Sequence, residues 1–395
     1  MSSANTTDLN LIRADQVGSL SAPVALSEAF SHNIRGQATD QELSEAQDQA
    51  IRDVIAGQEA LNFPVLTDGE FRRRNFQDSF ADSVSGFDVP TDVSPYYMEQ
   101  EEDAHINTGQ RNSGMETPGP AIVTRRPVVE RLRLVRNVPL DEYRFAASLA
   151  ERPVKVALVS PDRISQRFAY ERSTAVYAGQ DEFLADVVGI EREIVGGLAD
   201  AGCRYVQIDA PGYTSYIDPR SLQQMRDRGE DPDENMERSM RADNAVIAGF
   251  PDVTFGIHLC RGNPRGRDSK TGEVVPRWHR EGFYDAIAER LFTGLDHQRF
   301  LLEYDSERAG GFEPLRFIPK GKLVVLGLVT TKSAQLETVD DLKRRIDEAT
   351  RYIPLDQLAL SPQCGFGGMF SVVLDQDDQW RKLERIMETV AQVWG

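Results

Sequence analysis

The sequence predicts an α/β fold, a single (β/α)8 TIM barrel over residues 1–395 with long insertions after strands 2, 4 and 5. Three observations predict it. Eight short apolar segments recur along the chain, and most are near-continuous runs, as in parallel strands buried on both faces. Amphipathic helices lie between them. A barrel of this kind takes about 250 residues and tolerates insertions, so 395 residues leave length to spare. An open doubly wound sheet is the alternative, but no Gly-rich dinucleotide fingerprint follows the first strand.

In chain order, the first strand is Leu11–Val17. The helix Asp40–Leu61 follows, with Leu43, Ala46, Ala50, Ile51, Val54, Ile55 and Leu61 on one face. Thr39 and Glu42 have the spacing of a capping box at its start. The second strand, Phe63–Thr67, leads into an irregular insertion, Gly86–Pro153. The third strand, Lys155–Ser160, precedes the helix Asp181–Ala201. The fourth, Arg204–Asp209, is followed by the highly charged stretch Ile217–Asn244. The fifth, Val253–Leu259, is followed by the basic stretch Arg261–Arg280 and a helix, Gly282–Leu295. Arg299–Tyr304, Leu323–Val329 and Gln357–Ser361 complete the eight strands, with helices at Val339–Tyr352 and Asp377–Val393.

Composition excludes several functions. A hydrophobic share of 40% is too high for a disordered chain, and no apolar run approaches the roughly 18 residues of a membrane helix. A net charge of −18 opposes binding to nucleic-acid phosphates or to an anionic membrane surface. The N-terminus lacks the basic and apolar regions of a secretory signal. Three cysteines, Cys203, Cys260 and Cys364, are too few for a disulfide framework. A cytoplasmic protein with free thiols and small-molecule partners is expected.

In such a barrel, function gathers at the C-terminal ends of the strands, and here those ends are polar. Four residues stand out: His258, Cys260, Glu303 and Cys364. His-x-Cys at a strand end places both side chains on one face, because side chains alternate with period two. Together the four make an N/O/S2 set suited to tetrahedral Zn2+. The other reading is that Cys260 and Cys364 are small buried hydrophobes, as Cys203 is expected to be at its helix-to-strand junction. Ser19, Glu70 and Asp209 are candidates to hold a substrate carboxylate and ammonium, or else serve as caps and salt bridges. Arg72, Arg73 and Arg74 read as a solvated helix face with one arginine beside Glu70. The basic loop containing Arg261, Arg265, Arg267, Lys270, Arg277 and Arg280 reads as a lid for an anionic substrate or as exposed surface.

With those residues in hand, the chain resembles the cobalamin-independent methionine synthase superfamily, in its C-terminal catalytic barrel and its short bacterial and archaeal members. The resemblance is carried by RADQVGSL (13–20), VLTDGEFRR (65–73), CRYVQIDAPGY (203–213), GIHLCRGN (256–263), LLEYDSERAGGFEPL (301–315), GLVTTKSAQLE (327–337) and LSPQCGFG (360–367). It implies that His258, Cys260, Glu303 and Cys364 hold Zn2+, and that Ser19, Glu70 and Asp209 match the positions that hold the amino-acid part of homocysteine. Two departures bear on the methyl donor. Members that use methyl-tetrahydrofolate carry a second, N-terminal barrel that this chain lacks. The family's Asp-Ile-His-Ser stretch is here Thr330-Thr331-Lys332-Ser333, which puts Lys332, with Asp305, in the place of the acid.

The activity so implied is methyl transfer from folate, a methylated corrinoid or another donor to the homocysteine thiol, giving methionine. The alternatives are alkylation of another thiol, such as epoxide opening with coenzyme M, and a non-enzymatic zinc-binding or interaction protein. The insertion, with Tyr96, Tyr97 and Met98, is expected to cover the barrel mouth or to form a homo-oligomer interface.

Overall fold

The computed structural model describes residues 8–74, 76, 78–88, 127–165, 167–168, 170–227, 229–261, 265–267, 274–276, 280–367 and 374–395. Its strands in chain order are β1 (Val84–Phe87), β2 (Val128–Leu134), β3 (Lys155–Val159), β4 (Tyr205–Asp209), β5 (Thr254–Leu259), β6 (Arg265–Arg267), β7 (Val274–Pro276), β8 (Arg299–Glu303), β9 (Leu323–Val329) and β10 (Leu358–Pro362). Six of them form one parallel sheet in the order β10-β9-β8-β5-β4-β3. All but the first residue of β5 are buried across these six strands, as continuous apolar runs covered by helices require. The predicted α/β class with a parallel sheet is therefore present.

The first two predicted strands differ from expectation. Leu11–Val17 and Phe63–Thr67 do not form ladders; they flank the sheet through single parallel bridges, Ala14 to Leu360 and Leu66 to Val154. Side chains take over their backbone groups. Gln58, reaching from its helix, donates to the Thr67 carbonyl at 2.8 Å and accepts from the Thr67 N–H at 2.9 Å, where a neighbouring strand would bind. The two edge segments do touch each other: Thr67 Oγ1 donates to the Gly18 carbonyl at 2.8 Å, and the Leu20 N–H donates to Gly69 at 3.1 Å. A closed ladder of eight strands is not seen among the described residues.

The helices fall where apolar periodicity places them. Asp40–Ala60 starts at the expected capping box: Thr39 Oγ1 accepts from the Glu42 N–H, and the Glu42 carboxylate accepts from the Thr39 N–H. Its buried stripe includes Leu43, Ala50, Ile51, Val54 and Ile55. Gln180–Asp200, Val339–Ala349 and Gln376–Trp394 match their predictions to within a few residues. The helix expected over Gly282–Leu295 is shorter, a 3-10 turn at Tyr284–Ala286 followed by Ala288–Gly294. Gly282, at φ +112 and with a virtual Cβ 2.3 Å from the Ile217 carbonyl, cannot join it. The insertion at 86–153 is less irregular than expected. Its described part holds the antiparallel β1–β2 pair and the helix Val138–Leu149, whereas Tyr96, Tyr97 and Met98 lie outside the described residues. The charged stretch after β4 contains the helices Pro219–Asp227 and Pro232–Ile247, and the basic stretch after β5 contains the antiparallel β6–β7 pair. Among the described residues, no helix is long and apolar enough to cross a membrane.

Candidate metal centre and substrate site

The C-terminal ends of β5 and β10 bring three of the predicted residues together. His258 lies within β5 and Cys260 just beyond it, on the same face; Cys364 follows β10 by two residues. Their ligand atoms all lie within 4.8 Å of one another, and the two Sγ atoms are 3.8 Å apart. Two thiolates on a tetrahedral zinc, each at about 2.3 Å, stand about 3.8 Å apart, so this spacing fits the ion. The imidazole supplies a second test. His258 is 3% exposed, and among the described residues neither ring nitrogen has a hydrogen-bond partner. Buried polar atoms are rarely left so, and a metal would satisfy one of them.

The electrostatics favour deprotonated ligands. Cys364 donates to Cys260, and this bond, aided by the nearby imidazole, holds the Cys260 thiol well below its ordinary range against the opposing effect of burial. The same bond, together with burial, pushes Cys364 well up. His258 is raised because the Cys260 charge, with Asp209 and Glu303, outweighs burial. Cys203 fits the structural role expected of it: it is fully buried beside backbone carbonyls, and burial pushes its thiol up to about 12.

Glu303, the fourth predicted ligand, stands beside this trio rather than within it. It is fully buried at the end of β8; Oε1 accepts from Lys332 Nζ at 3.0 Å and Oε2 from the Arg261 N–H at 2.7 Å. Burial would raise its pKa, but Lys332, Arg261 and Arg308 outweigh it and lower it. Lys332 also binds both oxygens of Asp305, at 3.0 and 2.9 Å. The two carboxylates keep its ammonium protonated against burial. Lys332, Glu303 and Asp305 thus form one ion-paired group.

The three candidate substrate residues line the same strand ends. Asp209 pairs in register with His258 across β4 and β5. Glu70 follows an Asp68-Gly69 turn in which Gly69 and Glu70 both have left-handed backbones, φ +72 and +60. Asp68 Oδ1 secures that turn by accepting from the Glu70 N–H at 2.9 Å. The turn lays the Glu70 carboxylate against Gly18, where a Cβ would come within 2.7 Å of Oε1. Burial, reinforced by Asp209, Asp68 and Glu142 and opposed by Arg73, raises Glu70 to about 8. Ser19 is half-buried against the Cys364 segment: its carbonyl accepts from the Phe366 N–H at 2.9 Å, and its Oγ occupies the space a Cβ on Gly365 would need.

Several residues in this region were not singled out as functional by sequence. Arg73, expected on a solvated face, is only 5% exposed and grips Glu142 through Nε and Nη2, with Nη1 3.7 Å from Glu70. Its signal was weak, because a run of three arginines has no apolar periodicity. Arg261, expected in a lid, is fully buried, 4.8 Å from the Tyr284 ring centroid and bonded to the Gly282 carbonyl. Arg280 donates to Thr214 Oγ1 at 3.0 Å and to the Pro211 carbonyl. The side chains of Arg265, Arg267, Lys270 and Arg277 lie outside the described residues. Gln207 had a legible signal, the alternation Tyr205-Val206-Gln207-Ile208-Asp209, which puts every second, polar residue on one face; Lys155, at the start of the apolar run of β3, had none.

A parallel α/β sheet with imidazole, thiols and carboxylates at its C-terminal strand ends defines an enzyme whose site is built from those ends. Residues 14–263 match the family described as cobalamin-independent synthase, catalytic domain. The chain belongs to this cobalamin-independent methionine synthase family and is an enzyme of the methyltransferase class. It is 34% identical to the uncharacterised protein YxjG of Bacillus subtilis over 97% of this chain and 94% of that one. It is 22% identical to a methionine synthase of Pyrococcus abyssi, over 97% and 93% of the two chains. Among solved structures it resembles a B12-independent methionine synthase from Shewanella sp. W3-18-1 in complex with selenomethionine, with TM-score 0.68, 18% identity and 97% of each chain covered. That last likeness is one of fold.

Proposed function

We propose that this protein transfers a methyl group to the sulfur of homocysteine, giving methionine, at a Zn2+ site formed by His258, Cys260, Cys364 and Glu303. The observation that carries the reading is the buried imidazole, without a hydrogen-bond partner among the described residues, beside two sulfurs 3.8 Å apart. Bound there, Zn2+ would keep a thiol deprotonated at neutral pH, where a free thiol is mostly protonated.

The chain's own residues do the rest. Ser19 donates its hydroxyl to the α-carboxylate of homocysteine. Glu70 and Asp209 accept from the ammonium, and two carboxylates there disfavour coenzyme M, whose only charged terminus is a sulfonate. Lys332, poised between Glu303 and Asp305, supplies a proton or a positive charge to the departing group on the donor side. We read the sheet as a (β/α)8 barrel whose edge segments, residues 13–18 and 65–69, meet at Gly18 and Thr67. The reading is of a cytoplasmic enzyme.

The test is methionine formation by zinc-loaded protein from homocysteine and each of three donors: methyl-tetrahydrofolate triglutamate, methylcobalamin and S-methylmethionine. Methionine from at least one donor, lost in Cys364→Ser, is expected. Failure with all three, alongside turnover of coenzyme M with an epoxide, would replace this reading with the thiol-alkylation alternative.

A further inference from the structure

Beneath Asp209, the inner face of the sheet carries a chain of buried polar side chains. Asp15 is fully buried between two cations: Lys155 Nζ donates to Oδ1 at 2.8 Å, and Arg299 Nη2 donates to Oδ2 at 3.0 Å. The Tyr205 hydroxyl adds a bond to Oδ2 at 2.7 Å. Lys155 then continues upward to Gln207 Oε1 at 2.9 Å, and Gln207 Nε2 donates to the Val17 carbonyl at 2.6 Å and to Asp209 Oδ1 at 2.7 Å. Gln207 is fully buried.

The donor and acceptor inventory fixes the direction of this chain. An ammonium has only donors, so Lys155 must face the oxygen of the Gln207 amide. The amide nitrogen must then face the other way, toward two acceptors. One of its hydrogens goes to Val17, on the edge segment that leads to Gly18 and Ser19. The other goes to Oδ1 of Asp209, which must present a lone pair there. A flipped amide would set Oε1 against the Val17 carbonyl and the Asp209 carboxylate, and would turn its NH2 toward the ammonium. All three contacts would be lost. In low-dielectric surroundings such a network admits one arrangement.

We propose that Gln207 is a positioning residue for substrate recognition: it holds Asp209 by Oδ1 so that Oδ2 faces the substrate ammonium, and Lys155 sets the sense of the amide. This rests on the reading of Asp209 as an ammonium acceptor. Gln207 touches neither substrate nor metal; it acts through Asp209.

The experiment is calorimetric binding of homocysteine and of 4-mercaptobutyrate, the same thiol acid without the ammonium, to zinc-loaded wild type, Gln207→Met, Gln207→Glu and Asp209→Asn. Gln207→Met keeps the volume and removes both ends of the amide. Gln207→Glu keeps the acceptor for Lys155, and so that buried link, but removes the donor to Asp209 and to the Val17 carbonyl. Both should weaken homocysteine about tenfold to a hundredfold, as expected for loss of a hydrogen bond to a charged group, and leave 4-mercaptobutyrate within about twofold. A merely structural role would weaken both ligands together in both Gln207 variants. Wild-type preference for homocysteine in both Gln207 variants, with the preference lost in Asp209→Asn, would overturn the proposal alone. Wild-type preference in Asp209→Asn would overturn it together with the reading of Asp209.

Discussion

Glu70→Gln should make the protein more stable at neutral and alkaline pH while weakening its hold on homocysteine. The Glu70 carboxyl is 6% exposed and raised to about 8, chiefly by burial and against the pull of Arg73. In the unfolded chain it titrates near the ordinary value, about 4.5. Between those two values the folded chain keeps a proton that the unfolded chain has released. Because the folded state binds more protons, its stability falls as pH rises, by about 1.4 kcal/mol per pH unit. Across the whole window, from about 4.5 to about 8, this amounts to about 5 kcal/mol at most. Glutamine has the shape of the protonated acid and does not titrate. Guanidinium unfolding at a series of pH values should therefore show wild type and variant together near the acid end, diverging in favour of the variant toward the alkaline end. The same substitution should raise the KM for homocysteine, because the acid can release its proton when an ammonium arrives beside it and the amide cannot. Parallel pH profiles, or a variant less stable than wild type at the alkaline end, would refute the reasoning.

Three further outcomes follow from the geometry. Arg73→Leu should destabilise the protein by about 3–5 kcal/mol, because Glu142 is left buried without its cation, and Glu142→Gln in the same chain should recover part of the loss in the denaturation midpoint. Gly365→Ala places a Cβ 1.9 Å from Ser19 Oγ; the displaced hydroxyl should raise the KM for homocysteine by about tenfold, from an overpacking cost of about 1–3 kcal/mol, with zinc content by elemental analysis unchanged. Cys203→Ala should keep both zinc and activity, at a loss of about 1 kcal/mol of stability, read from the shift in the guanidinium midpoint.

The parts of the sheet legible in sequence were those where one physical signal dominates. β9 is an uninterrupted apolar run, β5, β8 and β10 are apolar but for a few positions, and the Asp40 helix announces itself by its capping box. The two edge segments were overread because hydrophobicity does not report what binds their backbone: at Thr67 the Gln58 side chain, not a neighbouring strand, takes both backbone groups. At the site, His258 and Cys260 followed from two-residue alternation, and Cys364 from its place at a strand end. What sequence could not show was which charges would pair. Lys332 joins Glu303 to Asp305, Arg73 turns inward to Glu142, and Lys155 meets Asp15 across 140 positions of chain. Each pairing joins elements brought together only by the tertiary fold, to which local pattern is blind. The Asp15–Lys155–Gln207 chain was the largest omission, although the polar alternation of residues 205 to 209 was there to be read.

The account stands on a metal that activates a thiol at His258, Cys260 and Cys364. The most direct measurement is zinc stoichiometry in purified wild type and Cys364→Ser, with X-ray absorption at the zinc edge before and after homocysteine is added. About one zinc per chain, lost or weakened in Cys364→Ser and gaining a sulfur neighbour with homocysteine, is the predicted result. Zinc-supplemented wild type with no stoichiometric metal, or a zinc whose ligands do not change with homocysteine, would contradict it.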